Sequence, residues 1–259
     1  MVDVGISCRE VERRMARLKI SPEKVKAIFI SHEHTDHISG VRVLSKKFRI
    51  PVYISTATLS NSGLNLEPDL VRPFQSGEPL NIGQLTITPF SKEHDAADPY
   101  SFVVEGNSIK IAVITDVGIA CDNVKHYFKQ CHAAFLEANY DATMLENGGY
   151  PIYLKNRIRG GKGHLSNMES LKLFLEHRPA FMNHLILSHL SKNNNTPELV
   201  EKLFSKHAGS TNIVVASRYR ESDMYSISAT QGIKATLGIN IEKKKRKIQV
   251  PTSQLSLFQ

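Results

Sequence analysis

The sequence predicts a layered α/β domain, and three observations predict it. Short apolar runs alternate with capped, amphipathic segments through most of the chain. A hydrophobic content of 41% over 259 residues is enough for a buried core. The side chains able to do chemistry cluster at or just past the C-terminal ends of the apolar runs, where α/β enzymes carry their catalytic loops.

The elements follow in chain order. Val2–Val4 reads as a short strand. Ser7 and Glu10 form a capping box that opens a helix running to about Leu18. Lys26–Ile30 is a strand leading straight into a histidine-rich loop. Val41–Phe48 is helical, Pro51–Ile54 a strand, and Leu85–Phe90 a strand with alternating faces. Ser101–Glu105 and Ile109–Thr115 flank Gly106-Asn107, a hairpin signal. Ala133–Leu136 is a strand ending in Glu137. A helix covers Met168–His177, and Leu185–Leu187 is a strand leading into Ser188-His189. Thr196-Pro197 opens a further helix as cap residue plus proline at the first helical position. Ile213–Ala216 and Met224–Ile227 are expected to close the domain as strands. The domain is therefore assigned to residues 1–230, and residues 231–259 to a basic flexible tail.

Composition removes several function classes. No run of about 18 apolar residues exists, so no membrane span is expected. The start, Met1-Val2-Asp3-Val4-Gly5, lacks the basic and apolar regions of a secretion signal. Cys8, Cys121 and Cys131 are scattered, which argues against a disulfide framework or a zinc knuckle and favours the cytoplasm. The net charge is +8, and from Gln231 onward six basic residues face Glu242 alone. That balance suits a polyanionic partner.

The strongest chemical signal is Ser31-His32-Glu33-His34-Thr35-Asp36-His37. Imidazoles are the commonest ligands of zinc and similar ions, and a carboxylate adds an oxygen donor. The two-residue period of an extended chain turns His32 and His34 to one side, while a turn carries Asp36 and His37 to a second point. Two ions about 3.5–4 Å apart can share a nucleophile and clamp a phosphoryl or acyl centre.

The pattern HxHxDH resembles the signature of the metallo-β-lactamase superfamily. That resemblance implies a four-layer αββα sandwich and two divalent metal ions, zinc or manganese. It also implies roles for further residues. Asp3 matches the buried aspartate that orients the metal loop, His94 the third-motif ligand, Asp116 the bridging carboxylate and His189 the last histidine ligand. Over roughly residues 1–228 the sequence is similar to the YycJ/WalJ-type single-domain nucleases, through Glu93-His94-Asp95, Gly163-His164-Leu165-Ser166-Asn167 and His189-Leu190-Ser191. This implies metal-dependent DNA hydrolysis, typically 5′-to-3′ exonuclease action in DNA repair or replication. The order Asp116, Glu137, His164, His189 resembles the ribonuclease Z group, in which a glutamate–histidine pair protonates the leaving oxygen. Asp36, Glu137 and His164 are thus the expected catalytic set. Relatives start with an extra strand pair and a Gly/Ser-rich loop not seen here; either the start is misassigned or the chain truncated, or the first sheet has lost an edge strand and leaves unpaired backbone beside Val2–Val4. Ser188 stands where relatives often carry glycine.

Two basic regions remain. Arg157, Arg159 and Lys162, with Ser191, are expected to hold the phosphate backbone of DNA, because guanidinium forks fit phosphate oxygens and Gly160, Gly161 and Gly163 permit close approach. At the end of the chain, Gln254, Leu255, Leu257 and Phe258 resemble the pentapeptide that binds the bacterial sliding clamp, with leucine and phenylalanine as apolar anchors. A small-ester or thioester hydrolase, lactonase or glyoxalase-like, is the alternative reading. A non-catalytic clamp-associated regulatory protein is another.

Overall fold

Local signals start most of the helices. In the computed structural model, which describes residues 1–228, the Ser7 hydroxyl accepts from Glu10 N and opens α1, Cys8–Arg17. The other helices are α2 (Thr35–Ile38), α3 (Val41–Phe48), α4 (Thr56–Ser62), α5 (Asp122–Phe128), α6 (Ala142–Asn147), α7 (Ile152–Arg159), α8 (Asn167–His177) and α9 (Pro197–Ser205). Ser166 and Glu169 form a complete capping box on α8, and Thr196 with Pro197 starts α9. Helices α4 to α7 escape the periodicity reading because they are only six to eight residues long. Two of the four, α4 and α6, nonetheless carry capping residues, Ser55 and Asp141.

The strands are β1 (Ile28–Phe29), β2 (Val52–Tyr53), β3 (Val71–Arg72), β4 (Leu80–Ile82), β5 (Leu85–Ser91), β6 (Tyr100–Gly106), β7 (Ile109–Ile114), β8 (Ala133–Glu137), β9 (His184–Ser188) and β10 (Asn212–Val215). They form a three-stranded parallel sheet, β1-β2-β3, and a seven-stranded sheet ordered β10-β9-β8-β7-β6-β5-β4. From β7 to β10 the pairing is parallel, and β5, β6 and β7 pair antiparallel in turn. Strands β5, β7, β8 and β9 therefore point the same way, and their C-terminal ends share one edge of the sheet.

Three apolar layers separate four layers of secondary structure, which is the αββα sandwich. Ile28 and Ile30 pack with Cys8 and Val11 of α1 and Val41 and Leu44 of α3. Ala27 and Phe29, on the opposite face of the same strand, pack between the sheets with Phe74, Ile87, Tyr100 and Phe102. The far face of the large sheet is covered by Phe128, Phe174 and Phe204 from α5, α8 and α9. Each of these three phenylalanines is fully buried, and burial of this kind is worth ~1.5–3 kcal/mol per side chain. The period-2 alternation of β1 thus feeds two different cores at once.

Three expected elements differ. Val2–Val4 is not a strand: Val2 makes a single bridge to Phe29, and Asp3 at φ 54° turns the chain so that Val4 N donates to His37 O. The hairpin turn falls on Asn107 and Ser108, both at positive φ, with Gly106 paired to Ile109, one residue later than Gly106-Asn107. Met224–Ile227 is irregular; Met224 is 69% exposed, and the Asn183 side chain donates to the Ser228 carbonyl instead of a strand pairing there. The basic tail, with Gln254, Leu255, Leu257 and Phe258, lies outside the described residues. Among those described, no helix is long and apolar enough to cross a membrane.

Candidate metal centre

The first cluster lies where β1 runs out into the loop before α2. The Asp3 carboxylate reaches under that loop: Oδ1 accepts from Ser31 N (2.7 Å) and Oδ2 from Ser31 Oγ (2.7 Å), and Oδ2 lies 2.8 Å from His37 Nδ1. Ser31 Oγ is also 2.8 Å from His32 Nδ1. The hydroxyl has one proton, and it is given to Asp3, so Ser31 must accept from His32 Nδ1–H. Both rings are thereby anchored through Nδ1 and turn Nε2 inward, the orientation that leaves Nε2 to a metal once it carries no proton. His32 Nε2 sits 3.0 Å from His34 Nδ1, so these donor atoms converge.

The rest of the centre comes from separate strand ends of the large sheet. His94 follows β5, and its Nδ1 donates to the Gly163 carbonyl at 3.0 Å, again freeing Nε2. Asp116 follows β7 and His189 follows β9, at φ 55° and 58°. Left-handed backbone is uncommon for residues other than glycine and gathers at functional sites. Asp3, at φ 54°, completes a set of three such site residues. The Asp116 carboxylate stands centrally, 3.2 Å from His37 Nε2, 3.4 Å from His189 Nε2 and 3.8 Å from His94 Nε2. Asp36 is the exposed member, 3.9 Å from both His37 Nε2 and His189 Nε2.

At the end of β8, Glu137 is fully buried. Its Oε1 lies 2.8 Å from both His164 Nδ1 and His189 Nδ1, while Oε2 accepts from Val117 N and Leu165 N. The sequence reading paired Glu137 with His164 alone. In the fold one carboxylate aligns two imidazoles, one among the metal donors and one lining the pocket.

Electrostatics agree with these roles. Burial, aided by Lys92, His37 and His94, pushes the His32 pKa well down and keeps its imidazole neutral. Burial likewise lowers His94 to about 4. At His37 burial opposes the charge, but Asp116 and Asp3 outweigh it and raise the pKa to about 10. Glu137 would be pushed up by burial, yet His164 and His189 hold it at about 2. The neighbouring His189 imidazole holds Asp36 at about 2.

The donors form overlapping clusters, among them His32/His34/His94 and Asp36/His37/His189, with Asp116 close to members of both. The fit to two divalent ions can be tested on one atom: His94 Nε2 is buried and makes no hydrogen bond. A buried nitrogen left without a partner costs about 1–3 kcal/mol, and coordination would satisfy it. An imidazole-rich donor set with carboxylate oxygens suits zinc-like ions. All seven expected ligands are therefore brought together. Ser31, Asn139 (whose Nδ2 donates to His189 O) and the buried Lys92 (donating to Thr115 O) were not foreseen. Ser31 could have been found beside the cluster; Lys92 and Asn139 carry no sequence signal.

The expected phosphate contacts divide. A cavity of about 260 Å³ opens over the centre, lined by Asp95, Tyr150, Leu154, Arg157 and His164 among others. Arg157 lies on α7 and is ion-paired to Asp95 at 2.5 Å. Arg159 is paired to Glu146, and neither Arg159 nor Lys162 lines this cavity. Ser191 lines the neighbouring groove. The glycines serve packing as well: a Cβ on Gly163 would lie 2.1 Å from Ile158 O.

Fold and donor set together define a metallo-β-lactamase-fold hydrolase. Residues 1–189 match the family described as the Beta-lactamase superfamily domain, and the chain belongs to that family. It is 32% identical over 209 residues to Exodeoxyribonuclease YycJ of Bacillus anthracis, covering 80% of this chain and 79% of that one. It is 30% identical over 237 residues to Exodeoxyribonuclease WalJ of Streptococcus pneumoniae, covering 89% and 87%. In shape it is similar to the metallo-beta-lactamase fold protein YhfI from Bacillus subtilis, with a TM-score of 0.63, 20% identity and 83% of each chain covered.

Proposed function

We propose that the chain is a metal-dependent phosphodiesterase that degrades DNA, acting as a 5′-to-3′ exonuclease in repair or replication with two zinc or manganese ions. The observation that carries this reading is the Glu137–His164 pair, 2.8 Å apart, opening into the cavity beside the metal donors. Two ions, when bound, would polarise the phosphoryl oxygens and lower the pKa of water. His32, His34 and His94 would hold one of them, Asp36, His37 and His189 the other, with Asp116 between. An alkoxide leaving from a phosphodiester needs a proton. His164, with Nδ1–H anchored on Glu137, presents Nε2 to the cavity as the group able to give it. Thioester hydrolysis by the same donors has less need of such a pair, because a thiolate leaves without a proton. The similarity to exodeoxyribonucleases over most of the chain supports DNA as the polymer.

The test is digestion of end-labelled single- and double-stranded DNA by metal-loaded protein, with metal content measured on the same sample. A 5′-labelled strand should release labelled mononucleotide at once, and a 3′-labelled strand should shorten progressively. Turnover of lactones or thioesters with intact DNA would refute the proposal in favour of a small-ester hydrolase. The tether to a sliding clamp through Gln254, Leu255, Leu257 and Phe258 is part of the same proposal and rests on the sequence alone. Calorimetric titration of the clamp with the full chain should give micromolar binding, about −8 kcal/mol, and no heat would remove the tether.

A further inference from the structure

A second concavity of about 350 Å³ adjoins the metal centre and has no part in the chemistry above. Its lining includes Ser191, Lys192, Glu198, Arg218, Tyr219 and Arg220. Tyr219 is 76% exposed, an unusual position for an aromatic ring in a basic setting. Arg157 and Arg159, the cations expected to bind phosphate, are ion-paired to Asp95 and Glu146. Lys192 and Arg220 are exposed and have no carboxylate partner among the described residues.

The groove is physically joined to the metal ligand His189. Its floor, Leu190–Ser191, directly follows that residue. Arg218 Nη2 donates to Leu190 O at 2.8 Å, and Ser191 N donates to Asn139 O at 2.7 Å. Asn139 in turn donates to His189 O at 2.8 Å. Ala216 N donates to Leu187 O, so the basic segment leaves β10 level with the end of β9. Adjacent strands lie about 4.8 Å apart, and one nucleic-acid strand rises about 3.4 Å per nucleotide when stacked. The groove is thus within a few nucleotides of the metal pocket.

We propose that this groove is a subsite for a single strand of nucleic acid, with a base stacked on Tyr219 and backbone phosphates held by Lys192 and Arg220. Arg218, spent on Leu190, positions the segment. A basic groove with an exposed ring is the arrangement by which proteins hold single strands without reading sequence. The idea rests on the nuclease reading for its substrate class, yet binding can be measured apart from cleavage.

The experiment is fluorescence anisotropy of the metal-loaded full chain with a cleavage-resistant, phosphorothioate single-stranded oligonucleotide and with an abasic oligomer of equal length. Tyr219→Ala should weaken binding of the base-bearing strand roughly tenfold, leave the abasic oligomer unaffected, and be rescued by Tyr219→Phe. Lys192→Gln with Arg220→Gln should weaken both and lower the salt slope by about 1.4, two phosphates on a single strand. Wild-type affinity in Tyr219→Ala or in the double variant overturns the groove, as does failure of the wild type to bind. Equal losses on base-bearing and abasic strands overturn the stacking role. Binding with these signatures but without cleavage of ordinary DNA leaves the groove standing and refutes the nuclease.

Discussion

The two halves of the candidate metal centre are built in different ways. The half beside the three-stranded sheet is one stretch of chain: His32, His34, Asp36 and His37 span six positions, and Asp3 and Ser31 lock two of the rings from behind. The half beside the seven-stranded sheet is a gathering of single residues, His94, Asp116, Glu137 and His189, each at the end of a different strand. Parallel alignment of β7, β8 and β9 brings the last three to one edge. A contiguous half can hold its geometry through local tethers. A gathered half depends on sheet register and on residues that touch several partners at once, here Asp116 and Glu137. Damage should therefore spread further in the second half.

The largest effect is expected at Asp116, which faces donors from both halves. Asp116→Ala should lower hydrolysis by roughly 10³-fold or more, with at least one ion lost on metal analysis. A fully active or fully metallated variant would break the idea of a shared central carboxylate.

Glu137 sharpens the comparison. His164→Ala should slow DNA hydrolysis roughly 10²–10⁴-fold with normal metal content. It should matter much less for a nitrophenolate leaving group, which needs no proton. Glu137→Gln should do more than this, because it also unties His189: metal affinity should fall by roughly 10–100-fold beside the rate loss. If Glu137→Gln leaves metal affinity unchanged, the carboxylate serves His164 only.

In the contiguous half, Asp3→Asn should be milder in rate and should weaken metal binding by roughly 10–100-fold. Competition with a chromophoric chelator reads this directly. An unchanged affinity would mean that the strand end alone fixes the loop.

The smallest effect concerns protons. In metal-free protein the His37 pKa stands at about 10, above its ordinary 6.5, because Asp116 and Asp3 outweigh burial. The stability this contributes is full below pH 6.5 and is lost as pH rises through about 10. Metal needs the bare Nε2, so loading at pH 7 should release a proton and tighten as pH rises toward 9. Calorimetry in buffers of different ionisation enthalpy measures the release, and none at pH 7 would contradict it.

The sequence by itself determined the layered α/β class and pointed to the candidate ligand types. HxHxDH is local, its spacing follows the extended-chain period, and capping residues and apolar runs are short-range signals. Even the scattered candidate ligands could be placed in order, through their positions after apolar runs and their resemblance to a family. The tertiary structure alone decided what those residues touch. Glu137 meets His189 because β9 pairs beside β8, and His164 because the loop before α8 returns against the end of β8. Asp3 reaches Ser31 and His37 because residues 1–4 lie against β1 and take a left-handed turn. Arg157 and Arg159 proved to be paired on a helix, while Tyr219 and Lys192 meet across a groove from segments 27 residues apart in the chain. Hydrogen bonds and ion pairs of this kind depend on distances between strand ends, which long-range pairing sets and local periodicity does not encode.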